Sequence, residues 1–515
     1  MTRNMIIIVD FGSQTTHLIA RRLRELGVGI KIVHPENALK EINQTKVNGI
    51  ILSGGPASVY EKNAPAVNKK VFLLNIPILG ICYGLQLITH LLKGKVVSGK
   101  KEYGPTKIKI QNPKSKITEG LQEKFTVWMS HGDEVIKLPK GFDVIGSSDG
   151  VPFAFIENKD KKIYGLQFHP EVEHTEFGSQ ILRNFVRVCG NKIKNQKSKI
   201  KIEELEDNIR KIVGKKNYVI GAVSGGVDST VAAALTAKAI GKRFIPIYVD
   251  NGLMREGTRK HVIKIFKKIG IKPVVVNAVG ETLSRLRKIT DSEKKRKIIG
   301  NLYIEIFERE MKKLLAKKMV VKYLLQGTIY SDVIESQGTK HSAKIKSHHN
   351  VGGLPKRMKL KLLEPMRNFY KDEVREIGRK LGIPSEFINR QPFPGPGYAV
   401  RIRGEVTKKR LEMEKKADEI VLFELEKAGI LPCVFLSFPV MTNAFSTAVK
   451  GDGRQFGEVV ALRVIDSKDV MTSNWTRLPY EILQKISSRI VNEIPGVSRV
   501  VYDITTKPPA TMEWE

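Results

Sequence analysis

A cysteine, a histidine and a glutamate stand at spacings that suit acyl transfer. In PILGICYGLQLITHLL, Cys82 lies between an apolar run and a helix-like stretch, flanked by Gly80 and Gly84 in the pattern GxCxG. Glycines there permit a tight strand-to-helix turn, and the positive end of a helix favours a thiolate over a thiol. A lone cysteine is more often a small buried core residue. What favours chemistry is QFHPEVEHT, where His169 and Glu171 are two positions apart across Pro170. On an extended chain such residues share a face, so His169 can serve as general base for Cys82 while Glu171 holds its other ring nitrogen. The competing histidine, His131 in WMSHGDE, is set aside as the base, and His17, His34 and His90 read as surface or packing residues.

A second constellation is VSGGVDST, residues 223–230, placed between the apolar YVIGA and the helical TVAAALTAKAI. Ser224, Gly225 and Gly226 let a backbone approach phosphates closely, Val227 follows them, and the next helix offers N–H groups and its positive dipole end. Ser229 and Thr230 add hydroxyls, and Asp228 suits a magnesium-side or orienting role, although the sequence does not define metal ligands. The Gly-Lys-Ser/Thr ending of a Walker loop is missing.

The elements that must position these residues follow from apolar runs ending in glycine: MIIIVDFG, NGIILSGG and IPILGICYG, separated by helical stretches such as THLIARRLRELG. This alternation predicts a mostly parallel sheet with functional loops at strand C-termini, joined by more antiparallel pieces from KIKIQ to IYGLQFHPE. A lysine-rich segment, NKIKNQKSKIKIEELEDNIRKIVGKK, reads as a linker entering an amphipathic helix. A second alternating unit runs from YVIGAVSGG to YLLQGTIYSD, and RQPFPGPG then breaks the pattern. The expected fold class is therefore α/β. It comprises one α/β domain over 1–195, a second parallel-sheet α/β domain over 196–390 and a small C-terminal α+β domain over 391–515.

Composition narrows the setting. A chain of 515 residues needs several cores. Its apolar runs are broken before the ~20 residues a membrane span requires, and no signal precedes the first strand, so a soluble, cytoplasmic protein is expected. The three cysteines, Cys82, Cys189 and Cys433, form neither a CxxC pair nor a zinc pattern. The net charge of +35 could suggest nucleic acid, yet the lysines are scattered and no aromatic RNA motif accompanies them, so no dedicated nucleic-acid site is expected.

With GICYG, FHPE and the upstream LSGGP in this order, the N-terminal part resembles the class I glutamine amidotransferase family. That resemblance implies an oxyanion hole from the backbone N–H groups of Gly55 and Tyr83, and a glutamine pocket lined by the region of His131. SGGVDS looks like the signature of the ATP pyrophosphatase group, which transfers AMP to an oxygen, and in which Asp250 and Gly252 would bind the nucleoside. EKKRKIIG, QGTIYSDVIES, KSHHNVGGLP, LLEPMRNFYKDEVREIG, RQPFPGPGYAVRIRGE and YDITTKPPATMEWE together resemble the GMP synthase family over nearly the whole chain. This implies that xanthosine 5′-monophosphate (XMP), ATP and glutamine become GMP, AMP, pyrophosphate and glutamate through an adenylated XMP, with Mg2+ accompanying ATP. It implies further that Arg296, Lys507 and Glu513 bind XMP, that Lys356 is a lid lysine, and that the chain is a homodimer through its C-terminal domain. Tyr398 stands where the family's FPGPGLA motif has leucine, which touches only local packing. Two alternatives stay open: another amidating or tRNA-modifying ATP pyrophosphatase, and a non-enzymatic nucleotide-sensing or RNA-binding module.

Overall fold

The computed structural model describes every residue except 1–4, 14, 192, 194–199, 269, 317, 331, 333–359, 451–452 and 468–471, and except the side chains of 100 and 450. Lys356, all of KSHHNVGGLP and the centre of the lysine-rich linker lie outside the described residues.

The first sheet begins with β1 (Met5–Val9), β2 (Gly29–Val33), β3 (Val47–Leu52) and β4 (Ile78–Ile81), which run parallel with β9 (Ile163–Leu166). It continues antiparallel through β8 (Phe155–Asn158), β7 (Asp143–Ser148), β5 (Lys95–Ile110) and β6 (Lys124–Lys137), giving the nine-stranded order β2-β1-β3-β4-β9-β8-β7-β5-β6. The apolar runs are continuous because both faces of the sheet are covered. Ile6 and Ile8 enter one core cluster, while Ile7 and Val9, facing the other way, enter a second. The covering helices include α1 (Thr16–Glu25), α2 (Ala38–Gln44), α3 (Tyr83–Leu91) and α4 (Gly178–Val188).

After α5 (Ile202–Val213), the second sheet is wholly parallel in the order β12-β11-β10-β13-β14. Its strands are β10 (Tyr218–Ala222), β11 (Phe244–Asp250), β12 (Val274–Asn277), β13 (Val321–Leu325) and β14 (Lys361–Leu363), with α6 (Val227–Ile240) and α7 (Thr258–Lys268) among its helices. Val219 and Ile220 again point into separate clusters on opposite faces.

The C-terminal part is α+β. The helix Lys408–Lys427 and the helix Tyr480–Glu493 pack on a sheet of β15 (Leu436–Lys450), β16 (Gly453–Asp466), β17 (Asn474–Trp475) and β18 (Val497–Tyr502). Its core is shared: Leu253, Leu286 and Ile299 from the second unit join Leu411, Ile420 and Leu462 in one cluster. Among the described residues no helix is long and apolar enough to cross a membrane.

Candidate functional site

Cys82 caps the N-terminus of α3 at φ 52°, a region that L residues occupy only under local constraint. The bend is thus carried by the cysteine itself. The flanking glycines serve a different need from the turn expected of them: they make room. A Cβ on Gly84 would lie 2.3 Å from the Leu52 carbonyl oxygen, and one on Gly80 would lie 2.6 Å from the Gly84 carbonyl carbon. The Cys82 N–H donates to the Leu166 carbonyl at 2.6 Å, which ties the elbow to the end of β9.

Three residues beyond that strand end stands His169. Its Nδ1 is 2.7 Å from Glu171 Oε1, and Glu171 is fully buried. The strand stops at Leu166, so the pairing rests on the turn after β9 and not on the extended chain assumed from the spacing. Burial would push the His169 ring down. The Glu171 carboxylate and a hydrogen bond with Cys82 outweigh that and push it up to about 10. Thr175 Oγ1 donates to the His169 carbonyl at 2.6 Å, and the His169 N–H donates to the Trp128 carbonyl at 3.1 Å, so the backbone is held on both sides. Arg22 of α1 donates to the Glu171 carbonyl at 3.2 Å and pairs with Glu173 at 2.7 Å.

Of the glycines of LSGGP, Gly54 packs against the same ring and Gly55 against Phe11. A Cβ on Gly54 would lie 3.1 Å from His169 Cε1, and one on Gly55 would lie 2.8 Å from the Phe11 carbonyl oxygen. Tyr83, the first residue of α3, is buried, and its hydroxyl donates to the Pro65 carbonyl at 2.6 Å. N–H groups of a first helical turn have no partner within the helix.

His131 also has a carboxylate two positions on, Asp133, so spacing alone does not separate it from His169. The geometry does. His131 Nδ1 meets the Asp133 backbone carbonyl at 3.1 Å, while the Asp133 carboxylate accepts from the Tyr60 hydroxyl at 2.9 Å. The His131 Nε2 lies 3.4 Å from Glu102 Oε2, and burial pushes its ring down. Gln86 Nε2 donates to the Asp133 carbonyl at 3.0 Å, and Cys82 Sγ lies 3.6 Å from the Ser130 carbonyl. Tyr60, Gln86 and Asp133 were not singled out from sequence. Gln86, four residues past Cys82 and therefore on the same helical face, carried a readable signal.

The phosphate-type loop lies between β10 and α6, with Gly226 as N-cap. Gly225 has φ 84°, and a Cβ there would lie 2.8 Å from Thr258 Cγ2 of α7, so glycine is required twice over. Ser224 Oγ and Ser229 Oγ are 3.1 Å apart, and Ser229 Oγ donates to the Gly226 carbonyl at 3.1 Å. Val227 and Thr230 are buried in the first turn of α6. Asp228 Oδ2 accepts from Lys371 Nζ at 2.5 Å, whereas its buried Oδ1 has no hydrogen-bond partner among the described residues. Asp250 ends β11; its Oδ1 accepts from the Gly252 N–H at 3.3 Å, and Arg259 lies 3.7 Å from its Oδ2.

Arg296 and Glu513 meet through the C-terminal tail. The Arg296 guanidinium donates to the Glu515 carbonyl, and the Glu513 carboxylate takes two hydrogen bonds from Arg401, each 3.1 Å. Arg401 is fully buried, as is Lys295, whose Nζ donates to the Ile402 carbonyl at 2.6 Å and lies 3.4 Å from Glu515 Oε2. Lys507 is 8 % exposed and makes its backbone pairs with Ser473. His17 departs from a simple packing role. Its ring accepts or donates at 2.5 Å to Tyr330, and its carbonyl takes the Tyr370 hydroxyl at 3.0 Å, so α1 bridges to the second unit. His34 and His90 are exposed.

Three family models match along the chain: glutamine amidotransferase class-I over residues 7–189, NAD synthase over 201–331 and GMP synthase C terminal domain over 423–514. A GMP synthase (glutamine-hydrolyzing) from Aquifex aeolicus is 52% identical over 516 residues, covering 100% of both chains. One from Thermosipho africanus is 51% identical, covering 99% of this chain and 100% of that protein. Among solved structures, a protein from Thermoplasma acidophilum assigned as one of the subunits of a GMP synthase is 39% identical over 37% of this chain and 96% of its own, with a TM-score of 0.34.

Proposed function

The chain belongs to the glutamine-hydrolysing GMP synthase family, and we propose that it makes GMP from XMP, ATP and glutamine with the residue roles that follow. The observation that carries the glutaminase half is the Cys82, His169 and Glu171 constellation on a strained elbow. Cys82 attacks the glutamine amide, and His169, which Glu171 keeps protonated, gives its proton to the leaving ammonia. The N–H groups of Gly55 and Tyr83 receive the oxyanion of the tetrahedral intermediate. Water then releases glutamate from the thioester.

For the synthetase half, residues Ser224, Gly225, Gly226, Val227, Asp228, Ser229 and Thr230, with Asp250 and Gly252, hold ATP. Arg296, Lys507 and Glu513 hold XMP. The C2 oxygen of XMP attacks the α-phosphorus, pyrophosphate leaves, and ammonia then displaces AMP from C2. Glu513 would have to exchange Arg401 for the substrate, or bind it together with Arg401. Magnesium is usually held by one or two carboxylates plus substrate phosphates, and Asp228 Oδ1, without a hydrogen-bond partner among the described residues, fits that description. When bound, the ion supplies charge neutralisation on the departing pyrophosphate.

We assign these roles to functional units at 1–195, 196–390 and 391–515, in a cytoplasmic homodimer. Dimerisation through the C-terminal unit is supported by the stacked rings of Phe445 and Phe456, 5.6 Å apart, which leave Phe456 72 % exposed on β16. The test of the division of labour is Cys82→Ala. Glutamine-driven GMP formation should fall by roughly 10⁴-fold or more, while synthesis from ammonium salt persists and releases AMP and pyrophosphate in equal amounts. Loss of the ammonium-driven reaction in a folded protein would place Cys82 in the synthetase step and overturn the assignment.

A further inference from the structure

We propose that His174 is a positioning residue that ties the glutaminase triad to the C-terminal tail, so that a filled nucleotide pocket favours the reactive setting of His169. The inference rests on the reading of Lys507 as an XMP ligand.

The contacts form an unbroken series. Thr175 Oγ1 donates to the His169 carbonyl at 2.6 Å and accepts from the Trp128 N–H at 3.0 Å, so His169, Thr175 and Trp128 move together. His174, the neighbour of Thr175, lays its ring against Trp128 with centroids 4.8 Å apart. Its Nδ1 is 2.9 Å from Thr472 Oγ1, 298 residues along the chain and in the C-terminal unit. Thr472 is buried, and its carbonyl accepts from Ser467 Oγ at 2.6 Å. The next residue, Ser473, exchanges both backbone hydrogen bonds with Lys507, at 3.0 and 2.8 Å. A second touch supports the first. A Cβ on Gly104 of β5 would lie 3.7 Å from Thr506 Cγ2, and Gly104 is paired with Met129, beside Trp128. The C-terminal unit therefore meets the glutaminase unit at two points, Thr472 against His174 and Thr506 against Gly104 of β5.

A nucleotide that holds Lys507 also holds Ser473 and Thr472, and the hydrogen bond to His174 then selects one setting of Trp128 and Thr175. Because the protonated His169 ring must sit within hydrogen-bond reach of the Cys82 sulfur and the leaving nitrogen, a shift of ~1 Å at His169 is worth on the order of 10²-fold in rate. Ammonia release becomes linked to the presence of an acceptor, and because reciprocity governs binding rather than rates, glutamine tightens XMP only by the factor by which XMP tightens glutamine.

The experiment measures glutamate release with and without XMP plus an ATP analogue that resists cleavage between its α and β phosphates. The intact enzyme should be stimulated at least about fivefold. His174→Ala and the shape-preserving Thr472→Val should each be stimulated less than about twofold, and the double variant should lose no more than either single one. His174→Asn, whose amide can replace Nδ1, should keep most of the stimulation. Unchanged GMP formation from ammonium salt shows that each variant is folded. Stimulation of His174→Ala equal to the intact enzyme, or no stimulation of the intact enzyme, overturns the proposal. The two readings fail separately: Lys507→Ala with an unchanged KM for XMP overturns the Lys507 assignment and the relay with it. A raised KM there, with full stimulation in His174→Ala, overturns the relay alone.

Discussion

Lys371 holds one carboxylate oxygen of Asp228 at 2.5 Å and leaves the other without a hydrogen-bond partner among the described residues. The pair links the first residue of the helix Lys371–Lys380 to the phosphate-type loop, and a charge-assisted contact of this kind aims the aspartate rather than merely neutralising it.

Lys371→Met should therefore misplace Asp228. GMP formation is expected to fall about 10²-fold with glutamine and with ammonium alike, because both nitrogen sources share the activated acceptor. Steady-state kinetics with each source checks this, and an unchanged kcat with ammonium would refute it.

The charge on His169 yields a pH prediction. Its proton is held up to about 10 because Glu171 and Cys82 outweigh burial. In Glu171→Gln the carboxylate is gone, so the ring loses its proton at lower pH, and the alkaline limb of glutamate release should move down by at least about one unit. In the same scan, ammonium-driven synthesis should keep its profile. The stability contribution has the matching sign. Held above the ordinary 6.5 in the folded state, this group stabilises fully below that pH and stops doing so as pH rises through about 10.

Gly84→Ala should damage the elbow. The new methyl would stand 2.3 Å from the Leu52 carbonyl, and backbone cannot yield as a flexible side chain does. A loss of roughly 1–3 kcal/mol is expected, read as a lower thermal midpoint together with loss of glutamine-driven activity. Gly280→Ala is the control. It lies within the helix Val279–Leu286 with nothing within 4 Å of the added carbon, and should be neutral or mildly stabilising.

Phe456→Asp should convert the protein to monomer in analytical ultracentrifugation, since a buried unpaired carboxylate at an interface is costly. Retention of the dimer would move the interface elsewhere.

What could be read from the chain in advance was local. GICYG, HPE and SGGVDS each compress turn, nucleophile or phosphate loop into a few neighbouring residues, and the alternation of apolar runs with helices announced two covered sheets. The partners that complete the sites were not legible. Arg401 meets Glu513 112 residues away, Lys295 meets Glu515 220 residues away, and Lys371 meets Asp228 143 residues away. No periodicity encodes such meetings. His131 and His169 show the same limit at short range, because each precedes an acid by two positions and only the course of the chain decides which acid turns back.

The cluster that draws Leu253, Leu286 and Ile299 together with Leu411 and Ile420 also governs how the polypeptide could be divided. The two principal clusters flanking the first sheet use no residue beyond Ile193, and those of the second begin at Ile200, so a scission between them parts two closed interiors. A scission near residue 390 would instead tear a single interior and expose an oily face on both fragments. Gene splitting or domain exchange is thus tolerable at one junction and prohibitive at the other, and the synthetase travels as an indivisible cassette.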